Sequence, residues 1–240
     1  MSKSPDVYAA VGAQGIALMD LRRGRGRWRF LDPIGAQLWD RVTRGAEPPV
    51  VVEELAAQWA LRGVPAERVR ADLTRVAADL QAAGLLTAAH RPPAAAAPPG
   101  LLFVSARPVP ARWRLAAHAG LAAALVLLRL LPLRWTVTVA RAATRLPGRA
   151  ATRAEAVAVH SAVRRAAAAW PGSRIACLEE SLASFITAAL TGRRMRWVLG
   201  ARFSPYGAHA WTEAGGQIIG QDRDERVWPY IPALQVEHPN

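Results

Sequence analysis

Arg174-Ile175-Ala176-Cys177-Leu178-Glu179-Glu180-Ser181-Leu182-Ala183-Ser184-Phe185 holds the chain's single cysteine and decides the reading of its larger half. The Trp170-Pro171-Gly172-Ser173 turn ahead of it makes Cys177 an early residue of an apolar helix. A thiol in a first helical turn meets unpaired N–H groups and the positive end of the helix dipole. Both favour the nucleophilic thiolate. Further along, His209 follows the turn Ser204-Pro205-Tyr206-Gly207 and opens an alternating strand, Ala208 to Glu213. Gly215-Gly216 then predicts a hairpin and a return strand, Gln217 to Gly220, which would hold the imidazole rigidly. A helix-borne cysteine followed by a strand-borne histidine supplies a nucleophile and its base. The structural alternative is a buried cysteine acting as a small hydrophobe beside an incidental histidine. Spacing alone leaves both open.

Working outward, residues 153–169 read as a helix leading into the Cys177 turn; His160 within it has no recognisable partner and is assigned no chemistry. Leu115 to Leu128 is nearly continuous in Leu, Ala and Val, and Arg129 and Pro132 close it. The run falls short of the roughly twenty residues that span a bilayer, so a core or partner-binding helix is expected. Its flanking Arg112, Arg114, Arg129 and Arg134 also suit peripheral membrane contact through 115–128. His118 reads as packed.

The chain's 240 residues suffice for one large domain or two modest ones. One cysteine excludes an internal disulfide, and the opening Met1-Ser-Lys-Ser-Pro-Asp lacks the apolar region of a signal peptide, so a cytoplasmic location is expected. The net charge of +13 comes almost wholly from arginine, Lys3 being the only lysine. Such a balance favours anionic partners in general.

A composition break at Pro92-Pro93-Ala-Ala-Ala-Ala-Pro98-Pro99-Gly100 marks a linker, because paired prolines neither continue a helix nor donate to a ladder. The expected division is 1–91, a linker over 92–110, and 111–240. In the first unit, Val7 to Val11, Ile16 to Leu21 and Arg27 to Leu31 read as strands, separated by Gly12-Ala-Gln-Gly15 and by Arg23-Gly-Arg-Gly26. Asp32-Pro33 caps a helix over Ile34, Leu38, Trp39 and Val42. A second helix runs from about Val51 to Leu61. A third starts at Val64-Pro65 and ends at Gly84, burying Val69, Leu73, Val76 and Leu80. Three strands then three helices make a small winged-helix arrangement. Trp28, Phe30 and Trp39 read as core aromatics.

Ala17-Leu-Met-Asp-Leu21, the basic turn, and Trp28-Arg-Phe-Leu-Asp-Pro-Ile-Gly-Ala-Gln-Leu-Trp39 resemble the PqqD-like recognition domains of ribosomal peptide modification. The resemblance implies that a precursor's leader peptide binds as an added strand on the third strand's edge, against the third helix. An exposed edge offers unpaired N–H and C=O groups to an extended peptide. The leader-binding candidates are Arg27, Trp28, Arg29 and Phe30 on the strand, with Arg68, Asp72 and Arg75 on the helix; the arginines suit an acidic leader. Ala176-Cys177-Leu178-Glu-Glu-Ser181-Leu182, the break Gly192-Arg-Arg-Met195, Arg196 to Arg202, and Pro205-Tyr-Gly-Ala-His209-Ala-Trp-Thr-Glu213 resemble the lasso-peptide B proteins.

That second resemblance implies an α+β chain: a PqqD-like winged-helix domain of three strands and three helices, then a transglutaminase-like (papain-like) cysteine protease domain. The implied activity is leader removal by Cys177 and His209, before a separate asparagine-synthetase-like, ATP-dependent cyclase closes the ring. The family places a triad Asp twelve residues after the histidine, where this chain has Gln221. The orienting role then falls to the neighbouring Asp222, with Gln221, Asp224 and Glu213 as alternatives. No cofactor and no metal are implied, since a lone Cys and scattered His lack ligand spacing. Two other function classes stand beside this one. A transglutaminase-type acyltransferase would pass the acyl group to an amine. A winged-helix nucleic-acid binder would need a positive recognition helix, yet Glu67, Asp72 and Asp79 balance Arg68, Arg70 and Arg75, so no nucleic acid is expected.

Overall fold

The computed structural model describes residues 2–4, 6–22, 24–87, 111–171, 175–220 and 230–238. The linker over 92–110 lies outside the described residues. The chain divides into two compact α+β units, one carrying the elements up to Thr87 and the other those from Ala111 onward.

In the first unit, β1 (Ser2–Lys3) pairs with β5 (Leu86–Thr87), and β2 (Val7–Gly12), β3 (Gly15–Asp20) and β4 (Arg27–Leu31) form an antiparallel sheet in that order. β4 is therefore an edge. Its register sets Trp28 opposite Met19, Arg29 opposite Leu18, and Phe30 opposite Ala17. Three helices follow: α1 (Pro33–Thr43), α2 (Pro48–Ala60) and α3 (Ala66–Ala82). Asp32 caps α1, its Oδ1 accepting the Gly35 N–H at 2.7 Å. α2 starts at Pro48 rather than near Val51, because a helix's first turn needs no N–H from proline. Ile16, Leu18, Leu38, Trp39, Val42, Leu55, Leu73 and Leu80 make the core of this unit. Trp28 and Phe30 stand outside that core, contrary to the expectation for them. Their rings stack on each other, centroids 6.5 Å apart, half-buried along the edge strand.

The second unit opens with α4 (Ala111–Leu130), α5 (Leu133–Ala143), β6 (Arg149–Ala150), α6 (Arg153–Ala168) and α7 (Cys177–Leu190). β7 (Arg193–Arg194) pairs in parallel with β6. A four-stranded antiparallel sheet completes it, in the order β10 (Gln217–Ile219), β9 (Tyr206–Ala214), β8 (Arg196–Phe203), β11 (Ile231–Val236). α5 and β11 were not read in the sequence. α4 extends past both ends of the expected run, since the arginines near its ends propagate a helix as well as leucine does. By length and composition α4 could cross a membrane. Yet Trp113, Ala117, Gly120, Leu121, Ala124, Leu125 and Leu128 are buried, and α4 packs on α7 and α6. Gly120 allows a close approach: a Cβ there would collide with Thr187 Oγ1 on α7. The helix that carries Cys177 thus has a packed partner along its back.

Candidate active site

Cys177 is the first residue of α7 and is exposed. Its helix start is ordered by Glu179, whose carboxylate accepts the Ala176 N–H at 3.1 Å, while the Glu180 N–H donates to the Ala176 carbonyl. The first-turn N–H groups have no carbonyl one turn back within the helix, so the thiol sits where an anion is favoured. α7 is apolar beyond this point because Leu182, Ala183, Phe185 and Ala188 are buried. Trp197 on β8 donates its indole N–H to Ser181 Oγ at 3.0 Å, tying the sheet to the first turns of α7.

His209 lies on β9 opposite Gly200 of β8. Its imidazole is flanked by aromatic rings, Trp211 at 5.9 Å and Tyr230 at 4.9 Å between centroids. Gly200 has no side chain for a physical reason: a Cβ would lie 2.6 Å from the Trp211 ring and 2.5 Å from the Ile231 carbonyl. Trp211 is itself fixed, donating Nε1–H to Glu213 Oε1 at 2.8 Å, and Arg196 donates to the other carboxylate oxygen at 3.2 Å. The Arg202 guanidinium lies 5.1 Å from the Tyr230 ring. The histidine is thus held by a rigid strand and a ring cage.

Cys177 and His209 line one cavity of about 480 Å³, together with Ser181, Trp211 and Tyr230. The structure therefore brings the two principal candidates together. Asp222, Gln221 and Asp224 lie outside the described residues. Glu213 does not line the cavity, because its two oxygens serve Trp211 and Arg196.

His160 was assigned no chemistry, yet it lines the same cavity, with Arg164 and Glu180. Its Nε2 stands 3.3 Å from Glu180 Oε1 and its Nδ1 3.4 Å from Ser184 Oγ, and the backbone of Gly220 lies against its ring. The signal was in the helix period, since position 160 continues the buried stripe of Ala156, Val159 and Val163. Tyr230 was missed because β11 was. The short, mostly apolar run Ile231 to Val236 after it was the available sign. Among the described residues no three His, Cys, Asp or Glu side chains converge as metal ligands would.

In the first unit, Arg27 and Arg29 are exposed on β4, flanking half-buried Trp28 and accompanied by Phe30. Arg68, Asp72 and Arg75 are all exposed, at spacings that put them on one face of α3. Arg75 lies 3.7 Å from Asp72, and Arg70 bonds Glu53 and Glu67.

Residues 117–233 match the model of the transglutaminase-like superfamily, and residues 15–86 match that of coenzyme PQQ synthesis protein D (PqqD). No curated protein matches the chain. A solved structure of TbiB1 in complex with the TbiA(beta) leader peptide is similar, at 24% identity over 38% of this chain and all of that one, with a TM-score of 0.31. The chain joins a PqqD-like region to a transglutaminase-like one.

Proposed function

We propose that this chain is the leader peptidase of lasso-peptide biosynthesis, a cytoplasmic cysteine peptidase. It binds the leader of a precursor through its PqqD-type domain and cuts leader from core in its transglutaminase-like domain. The observation that carries the reading is the meeting of Cys177, at the start of α7, with His209 of β9 in one cavity.

The chemistry follows from those positions. The Cys177 thiolate attacks the carbonyl carbon of the scissile peptide bond, and the carbonyl oxygen takes up the negative charge. The N–H of Cys177, in the first turn of α7, is placed as one donor to that oxygen. Collapse of the tetrahedral species breaks the C–N bond. His209, as imidazolium, gives its proton to the leaving amine, which becomes the new N-terminus of the core. Water, deprotonated by His209, then attacks the thioester, releasing the leader's carboxylate and restoring the thiol. The Trp211 and Tyr230 rings keep the imidazole in place through both proton transfers. Asp222 is the proposed orienting residue for His209. Ring closure belongs to the separate asparagine-synthetase-like cyclase.

The direct test incubates the chain with its precursor peptide and follows the products by mass. Wild type should yield free leader and core, with one water added across the cut bond. The Cys177→Ala protein should yield neither. Cleavage by Cys177→Ala would end the reading. A leader joined to an added amine would instead favour the acyltransferase.

A further inference from the structure

Between Asp79 and Glu155 the sequence contains no acidic residue at all, while it contains ten arginines, ten of the chain's thirteen net positive charges. α4, α5 and their connection, residues 111–143, lie within it and hold five of those arginines, Arg112, Arg114, Arg129, Arg134 and Arg141. The inward faces of both helices are accounted for by packing. Their outward faces are not, and around the α4–α5 corner those faces carry large apolar side chains among the arginines.

On α4, Val126 and Leu130 are exposed one turn apart. Leu131 is exposed in the connection, and Trp135 and Val139 are exposed one turn apart on α5. Leu130 is 73% exposed and Trp135 51%, although both residue types are on average well buried. Arg129 and Arg134 bracket this corner in sequence, and the Arg134 guanidinium lies 5.5 Å from the Trp135 ring. Arg141 and Arg145 continue the basic character along and beyond α5.

We infer that the α4–α5 corner, Val126, Leu130, Leu131, Trp135 and Val139 with its bracketing arginines, attaches the protein peripherally to an anionic phospholipid surface. Charge selects the occupant. A segment with many guanidinium groups and no carboxylate gains from a field of lipid phosphates. Tryptophan is the side chain best suited to the headgroup level, with an apolar body and a polar N–H. Arginine stems can lie along the apolar layer while their heads remain at the phosphates. The attachment is in-plane and not spanning, because the other side of α4 is committed to α7, with Gly120 against Thr187. A membrane-bound enzyme would meet its substrate at the surface. The attachment itself stands independently of the peptidase reading.

The test uses the full chain and vesicles of either phosphatidylglycerol or phosphatidylcholine, in a sedimentation assay. The protein should pellet with phosphatidylglycerol at low salt, leave it as salt rises, and stay in solution with phosphatidylcholine. Leu130→Ser with Trp135→Ser should lower the partition coefficient by about tenfold or more. Arg134→Glu with Arg145→Glu should do the same through charge alone. All four positions are exposed, so the melting temperature and the cleavage of precursor in free solution should be unchanged. Three results would overturn the inference. One is no retention on phosphatidylglycerol. Another is retention unaltered in both double variants. The third is a dimer in solution, without vesicle binding, that either double variant dissociates; that would mean a second copy covers the corner. Loss of cleavage in the wild type alone would count against the peptidase reading and leave this one standing.

Discussion

Trp211 stands between His209 and Glu213 on one face of β9, and that placement decides what Glu213 does. Even spacing along a strand puts all three side chains on the same side. The indole N–H nevertheless takes one carboxylate oxygen, and Arg196 the other. Glu213 is 3% exposed, so those two donors supply the hydrogen bonds that water would otherwise give its carboxylate. Glu213→Gln should therefore lower stability by about 1–3 kcal/mol in urea unfolding, and turnover only as far as Trp211 shifts. In the proposed mechanism the orienting role belongs to Asp222. Asp222→Asn should reduce the rate of precursor cleavage by orders of magnitude, while Gln221→Ala should be mild, both read from single-turnover product formation. The opposite ranking would move the role to Gln221. His209 and Cys177 were legible as single residues because motif and turn signals are local. His160 was not, since its meaning depends on Glu180, a residue of another helix.

At the scale of elements, α6 is anchored by charge at its start. Glu155 completes a capping box with Thr152 and also receives Arg193 and Arg149, the former at 2.8 Å. Burial opposes ionisation of this carboxyl. The Thr152 N–H and hydroxyl and the two guanidinium groups outweigh burial and hold its pKa down at about 2, against an ordinary 4.5. A carboxyl depressed on folding stabilises the native state above its unfolded value. That contribution is lost as pH falls from 4.5 through about 2. Glu155→Gln should thus cost about 1–2 kcal/mol at neutral pH, allowing for solvent screening, and progressively less in acid; urea midpoints against pH would show the convergence. β4 poses a different test. The edge of β4 away from β3 is the proposed docking line for the leader, and proline removes a donor whichever way the Arg29 N–H points. Arg29→Pro should weaken leader affinity by about tenfold or more, and Arg29→Ala by only a few-fold, measured by fluorescence anisotropy. Equal effects would indicate recognition by the side chain alone.

For the whole molecule, leader recognition and chemistry are assigned to separate units, so they should separate in experiment. Cys177→Ala should bind the leader with unchanged Kd while losing all cleavage, and Arg29→Pro should lose affinity while the fully bound precursor is still cut. A large fall in leader affinity in Cys177→Ala would show that the unit bearing the cysteine also holds the leader. The sequence by itself determined the order of the two units, the strands and helices of the first, and the choice of Cys177 and His209 as the candidate pair. Each of these rests on short-range physics: Asp32 at a cap, glycines in hairpin turns, alternation along β4, and motif spacing around the cysteine. Tertiary structure alone decided which faces are used. It brought Tyr230 beside His209 by pairing β11 with β8, set His160 into the cavity, and moved Trp28 and Phe30 from the core to an edge. It also divided α4 into a face packed on α7 and a face left to the outside. A continuous apolar run carries no periodic mark of which side will be covered. That side is chosen by the partner helix, whose small residues and glycine contacts lie far away in the chain.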